Sequence, residues 1–292
     1  MSKVKISITV LIIFALFLGA ILLLNKTDFT GHNESDNLNE GMSKAALSTT
    51  TNTATSSTSK LESTVKDEPK EKSLKNFTDG VWIKKYPENF ACFKFETPEG
   101  VKIIADPYMI NEIVKPDIVT ESHQHDDHTD VSRLQGTYKL IKETGSYNEK
   151  DISIIGYSGK HNKGDVTETN IIYVYEINGI RIANFASQGE LPRDEVLEKI
   201  ENVDVLLIQT SIKPGYADSK LNLEETRAVI KRLNPKIVIP EHGSENSGKA
   251  LATYLGLNVE FIKSGEIVVT RRELNALKRL RILDLDTYVR KN

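Results

Sequence analysis

The segment Glu121-Ser122-His123-Gln124-His125-Asp126-Asp127-His128 gathers three of the six histidines of this 292-residue chain into one polar box. Neutral imidazole and carboxylate are the ordinary ligands of zinc, manganese and iron. Alternate positions on an extended segment point the same way, so His123 and His125 can grip one ion together, while Asp127 and His128 face a neighbouring spot. The chemistry expected of such a box is that of a metal centre, with a metal-acidified water as the nucleophile. Cys92 is the one cysteine, which excludes an internal disulfide. It sits in the apolar run Phe90-Ala91-Cys92-Phe93 with no acidifying neighbour, so it is expected to be a buried, inert thiol.

The box must be held where a strand ends and a helix opens, because Ile118-Val119-Thr120 precedes it and polar residues follow. Upstream, Phe90 to Phe95 and Val101 to Ala105 read as strands joined by the turn sequence Pro98-Glu99-Gly100. Downstream, Ile152 to Tyr157 reads as a strand leading to His161. Ile171 to Ile177 and Ile180 to Phe185 then flank Asn178-Gly179, a strong hairpin signal. A helix over Pro192 to Ile200, a strand over Val203 to Ile208, a helix over Leu223 to Leu233 capped by Asn222, and a strand over Lys236 to Pro240 follow in alternation. The last of these strands delivers Glu241-His242 at its end. Leu274, Leu277 and Leu280, interleaved with Arg271, Arg272, Lys278, Arg279 and Arg281, predict a closing amphipathic helix. An α/β domain with a sheet core covered by helices is expected from residue 77 to 292.

The N-terminal quarter is of another kind. Ile6 to Leu24 is an uncharged apolar run of the length that crosses a bilayer as a helix, with Lys3 and Lys5 before it and an acidic flank after Lys26. The charge asymmetry predicts a cytoplasmic tip and single-pass anchor over residues 1–24, with the remainder outside the cytoplasm; a cleaved signal peptide is the competing reading. Residues 25–76, rich in Ser and Thr from Ser48 to Ser59 and then charged, cannot bury a core and are expected to form a disordered tether. A formal net charge of -3 gives the chain no global attraction to nucleic acid.

Four segments together carry a family resemblance: Asp106-Pro107-Tyr108, His123-x-His125-x-Asp127-His128, His161 ahead of the hairpin, and Ile239-Pro240-Glu241-His242. Over Trp82 to His242 the chain resembles the metallo-β-lactamase superfamily, and within it the branch similar to bacterial ascorbate-6-phosphate lactonases and related metal-dependent hydrolases. The resemblance implies a four-layer αβ/βα sandwich with a one- or two-metal site at the sheet edge. It assigns His123, His125 and His161 to a first divalent ion, and Asp127, His128 and His242 to a second. All five histidines outside the linker are then employed. Asp106 would orient a ligand imidazole.

One departure stands out, because the family's usual His-x-Gly-Asp is here Asn184-Phe185-Ala186-Ser187, with a neutral hydroxyl where an aspartate bridges two metals. A second ion should therefore bind weakly or not at all, and no spacing argument makes Glu190 a substitute. The expected function is a membrane-anchored metal-dependent hydrolase acting on an ester, lactone or phosphodiester, with Asp127 orienting the water or accepting its proton. Two alternatives stay open: a metal- or ligand-binding domain that has lost catalysis through Ser187, and an extracellular nuclease using the basic residues near the C-terminus.

Overall fold

The computed structural model describes residues 77–86, 91–164, 169–212, 219–241 and 246–285. The apolar run Ile6 to Leu24, the linker to residue 76, and His242 lie outside them. Among the described residues no helix is long and apolar enough to cross a membrane.

Two sheets carry the fold. Strands β1 (Val81–Lys85), β2 (Phe93–Glu96), β3 (Lys102–Ala105), β4 (Ile118–Thr120), β5 (Lys139–Ile141) and β13 (Glu266–Val269) form one in the order β13-β1-β2-β3-β4-β5. Strands β6 (Gly145–Glu149), β7 (Ile152–Lys160), β8 (Thr169–Ile177), β9 (Ile180–Asn184), β10 (Val205–Gln209), β11 (Ile237–Glu241), β12 (Val259–Phe261) and β14 (Arg281–Asp284) form the other, in the order β12-β14-β11-β10-β9-β8-β7-β6. Their facing sides bury Ile83, Phe93, Phe95 and Ile103 against Tyr173, Tyr175, Ile182 and Leu207. Each such side chain contributes roughly 1.5–3 kcal/mol on leaving water, so this layer holds the sheets together.

The second sheet shows why strand and helix signals alternate in the sequence. Strands β9, β10 and β11 are parallel neighbours, and parallel neighbours need crossovers, which α2 (Asp194–Ile200) and α3 (Leu223–Leu233) supply. Helix α3 begins in a capping box, Asn222 accepting from the Glu225 amide and Glu225 accepting from the Asn222 amide. It buries Val229, Ile230 and Leu233 and ends at Asn234 in the left-handed conformation, just before Pro235. With α4 (Ser247–Tyr254), these helices pack Leu197, Ile200, Val229 and Leu251 on the outer side of β9 to β11. At the Asn178-Gly179 hairpin both residues have positive φ, 49° and 69°, as a two-residue turn of matching twist requires.

Two expectations need correction. Among the described residues, the outer face of the first sheet is covered by the irregular 106–138 segment, through Ile110 and Val114 against Tyr86, Cys92, Ile104 and Val119, and not by a long helix. The sandwich is therefore helices, sheet, sheet and loop. The closing helix is also shorter than its leucine spacing predicts. Helix α5 (Arg271–Ala276), with its capping box at Thr270 and Glu273, buries Leu274 and stops. Arg281–Asp284 continues as β14, which is parallel to both β11 and β12 and buries Ile282 and Leu283. The 3.6-residue pattern is outweighed there by a sheet position that takes an apolar pair. Cys92 is 1% exposed, and burial pushes its thiol well up, out of the reactive range.

Candidate metal centre

Strand direction places the site. Strands β3 and β4 are parallel, β9, β10 and β11 are parallel, and β7 runs in the direction of β9 because β8 is antiparallel to both. The residues leaving their C-terminal ends are Asp106, the 121–128 box, Asn184 to Ser187, Gln209 to Ser211, Glu241 and His161. Cross-sheet bonds close this edge. The Ile171 amide donates to the Ser122 carbonyl at 2.8 Å and the Tyr173 hydroxyl to the Glu121 carbonyl at 3.2 Å.

The box itself is a loop from Glu121 to His125 followed by the one-turn helix α1 (Asp126–Thr129). The turn brings its imidazoles together. Ligand atoms of His123, His125 and His161 lie within 4.8 Å of one another, and so do those of His123, Asp127 and His128. The His123 ring is 4.0 Å from that of His128, 4.6 Å from His125 and 4.8 Å from His161, centre to centre. His123 belongs to both groups. Its Nε2 is buried without a hydrogen-bond partner, which is the condition of a nitrogen whose lone pair awaits an ion. Burial first, and the neighbouring histidines next, push its pKa down to about 3, so it is neutral and ready to ligate. The donor set, four imidazoles and one carboxylate around two adjacent points, fits a divalent transition ion.

A layer behind the imidazoles aims them. Asp106 is fully buried, and its Oδ1 accepts from the Ser122 amide at 2.8 Å and lies 3.1 Å from His128 Nδ1. Its Oδ2 accepts from the Asn184 side-chain amide at 3.2 Å. Asn184 in turn accepts from the Ala186 amide. The Ser122 hydroxyl stands 3.0 Å from His123 Nδ1 and 3.3 Å from His128 Nδ1. The Asp106 carboxylate accepts from Nδ1–H of His128, and the Ser122 hydroxyl can accept from Nδ1–H of His123, an arrangement that turns both Nε2 atoms toward the metal positions. Burial alone would raise the Asp106 pKa, but His128 and the bonds from Ser122 outweigh it and hold the carboxyl below its usual range. His161 sits between two latches, Lys160 with Glu190 at 3.2 Å and Lys163 with Glu225 at 2.8 Å.

Ser187 does stand at the site wall, with its hydroxyl 3.2 Å from His128 Nε2. Glu190 does not take its place, because its carboxylate is engaged by Lys160 and by the Gly164 amide. The structure thus brings His123, His125, Asp127, His128 and His161 together; His242 lies outside the described residues, one position beyond the end of β11. Sequence reasoning gave no role to Ser122, Asn184 or Glu241. Ser122 lies inside the box, and Asn184 and Glu241 lie in the segments that carry the family resemblance, but their burial against Asp106 or the ligand rings shows only in the fold.

Glu241 is 1% exposed, and its carboxyl oxygens are buried with little hydrogen bonding to compensate. Burial, reinforced by Asp106 and opposed by Lys85 and the Ala186 amide, pushes its pKa well up, which favours the neutral acid. A raised pKa in the folded state gives stability that is complete below the ordinary glutamate value and is lost as pH rises through the folded value. In metal-free protein, Glu241→Gln should gain stability over the wild type as pH climbs above about 4.3, by at most about 1.4 kcal/mol per pH unit. Melting curves between pH 4 and pH 8 check this, and parallel pH profiles for the two proteins would refute it.

Comparison with known proteins agrees with the fold. The β-lactamase superfamily domain model matches residues 88–242, more than half of the chain. The chain belongs to the β-lactamase superfamily. Among solved structures it is similar to a protein from Thermotoga maritima assigned as a Zn-dependent hydrolase of the metallo-β-lactamase superfamily, with 25% identity, a TM-score of 0.56, and coverage of 70% of this chain and 97% of that one. Proteins from Parabacteroides distasonis (14% identity, TM-score 0.50, 62% and 91% covered) and Veillonella parvula (12%, 0.50, 65% and 100%), both assigned as metal-dependent hydrolases, share the fold. No curated protein matches the chain. The superfamily expected from the histidine box is thus the one found, while the lactonase-like branch is not singled out.

Proposed function

We propose that this chain is a metal-dependent hydrolase whose substrate is an ester, lactone or phosphodiester. The observation that supports it most is the pair of ligand groups sharing His123, whose Nε2 is buried and unpartnered. A bound divalent ion, zinc, manganese or iron, would supply Lewis acidity and an acidified water. His123, His125 and His161 would hold it, with His128 and His242 beside them. Asp127, whose side chain is 28% exposed at the mouth of the site, would orient the attacking water or accept its proton. Asp106 and Ser122 would keep the ring protons on the far side of His128 and His123. The apolar run Ile6 to Leu24 with Lys3 and Lys5 before it supports a single-pass anchor, with the domain tethered outside the cytoplasm.

The test is turnover of generic ester, lactone and phosphodiester substrates by the full chain in detergent, before and after metal removal. Chelation should abolish turnover and metal should restore it, and Asp127→Asn should lower kcat by at least about 100-fold. Equal turnover in wild type and Asp127→Asn, or turnover indifferent to metal, would sink the proposal.

Ser187 supports a second reading, a domain that binds metal without catalysis. Tight metal binding with no hydrolysis, and activity appearing in Ser187→Asp, would favour it. The nuclease reading is weakened because Arg271 and Arg281 are committed to ion pairs with Asp204 and Glu260, each at 2.6 Å.

A further inference from the structure

Among the described residues, His161 is the one histidine of the site that lies outside the box, just past the end of β7. Its ring must meet those of His123 and His125, 4.8 Å and 4.7 Å away centre to centre, from a distant part of the chain. The ladder between β7 and β8 ends where Lys160 pairs with Thr169. Contacts other than the sheet must therefore hold the residue that follows.

The loop that leaves β9 grips Lys160 at both of its backbone groups. The Lys160 amide donates to the Gln188 side-chain oxygen at 3.1 Å, and the Lys160 carbonyl accepts from the Gly189 amide at 2.9 Å. The same Gln188 oxygen accepts from the Asn170 side-chain amide at 3.0 Å, and Asn170 also donates to the Phe185 carbonyl at 3.0 Å. The Gln188 side-chain nitrogen donates to the Glu190 carbonyl. Gln188 is 1% exposed and Asn170 is fully buried. Gly159, opposite Asn170 in the ladder, makes the room, because a Cβ there would overlap the Gln188 side-chain oxygen.

The ion pairs on this segment are surface features. Lys160 with Glu190 and Lys163 with Glu225 join side chains that are 42% and 38%, and 28% and 23%, exposed. Such pairs contribute about 0–1 kcal/mol, whereas a buried donor stripped of its acceptor costs about 1–3 kcal/mol. Loss of the Gln188 oxygen strips two donors at once. The buried amide, more than the ion pairs, therefore sets the place of Lys160 and of His161 after it. The same loop presents Ser187 to His128 Nε2, so one short stretch borders both ligand groups.

Resting on the metal-centre reading above, we infer that Gln188 is the positioning residue of the first metal position: through the backbone of Lys160 it holds His161 where its ring can share an ion with His123 and His125. Gln188 is not itself a ligand. With a neutral Ser187 where an anionic ligand is usual, the contribution of this loop to the centre is the alignment of His161.

The inference is tested by a double-mutant cycle on the Co(II) affinity of the full chain in detergent, measured by chelator competition, with the absorption spectrum of the bound ion as a second readout. Gln188→Met, which keeps the bulk and loses the amide, should lower affinity about 10- to 100-fold and change the spectrum, as loss of a ligand's supporting partner does. In a His161→Ala background the same substitution should leave affinity within about threefold, because the ligand that Gln188 aligns is gone. Gly159→Ala, which pushes the same amide aside, should repeat both results, and it stands in for Gln188→Met if circular dichroism shows that variant unfolded. Wild-type affinity and spectrum in the folded variant, or an equal loss of affinity with and without His161, overturns the role of Gln188 and leaves the metal centre standing. A wild type that binds no Co(II) overturns the metal centre itself and this inference with it.

Discussion

Replacing His123 by alanine should reduce metal affinity by at least about a thousandfold and bring hydrolysis down to background, a larger loss than removal of any other single histidine in the box. The reason is its position. His123 is counted in both ligand groups, whereas His125 and His161 belong to one and His128 to the other. Its Nε2 is a buried nitrogen with no hydrogen-bond partner, and Ser122 stands 3.0 Å from the opposite ring nitrogen. His125, by contrast, is exposed. Thermal shift gives a readout independent of turnover. Added metal should stabilise the wild type by about 4 kcal/mol when it exceeds its dissociation constant a thousandfold, and should leave His123→Ala unmoved. The Ser122 hydroxyl retains His128 as a partner, so the metal-free variant should keep its far-ultraviolet circular dichroism. Metal-induced stabilisation of His123→Ala equal to that of wild type would rule out His123 as the shared ligand.

Asp106→Ala should be the most damaging change behind the site. It removes a fully buried carboxylate and leaves the Ser122 amide, the Asn184 side-chain amide and His128 Nδ1 without their acceptor. Breaking a buried, charged partnership of this kind costs about 3–5 kcal/mol. Asp106 also has a positive φ of 49°, a conformation that Asp and Asn tolerate better than Ala. Asp106→Asn should therefore keep the backbone and lose the charge. Its expected effect is a smaller stability loss together with metal affinity lowered about 10- to 100-fold, because His128 is no longer held with its proton on the far side. The acid limb of the stability profile gives the sign. The carboxyl pKa is held below its usual range, first against burial and then by His128 and Ser122. Its contribution is thus complete above the ordinary aspartate value and is lost as pH falls through the folded value. Wild type should lose stability on this limb faster than Asp106→Asn. Chemical denaturation at neutral and acid pH, with a chelator competition for metal affinity, checks both parts. Wild-type affinity in Asp106→Asn would remove Asp106 from any role in aiming His128.

Local chemistry made some of this molecule legible from residue order alone. The box at His123 to His128 announced a metal centre because ligand types cluster within one strand end and one helical turn. The Asn178-Gly179 hairpin and the Asn222-capped helix were readable for the same reason, since turn and cap preferences act over two to four residues. The alternation of strand and helix from Pro192 to Glu241 fixed the parallel half of the second sheet, because a crossover helix needs only an apolar face and a capped start.

Long-range placement decided the rest. Leu274 to Leu280 carried a helical pattern, but β14 took the following residues because a sheet position between β11 and β12 offered more burial to Ile282 and Leu283. The 106–138 segment covers the first sheet without a long helix, which no periodicity in it foretold. At the centre, the sequence by itself determined which side chains could bind a metal and that a serine stands where a carboxylate is usual. Only the tertiary structure decided that Ser122 joins Asp106 in aiming those imidazoles, that the ring Asp106 holds is His128, and that Glu190 is taken by Lys160. Contacts between residues dozens of positions apart depend on how two sheets meet along one edge. A single sequence encodes that meeting only through the whole of its core, and the charge balance at the metal positions is settled there.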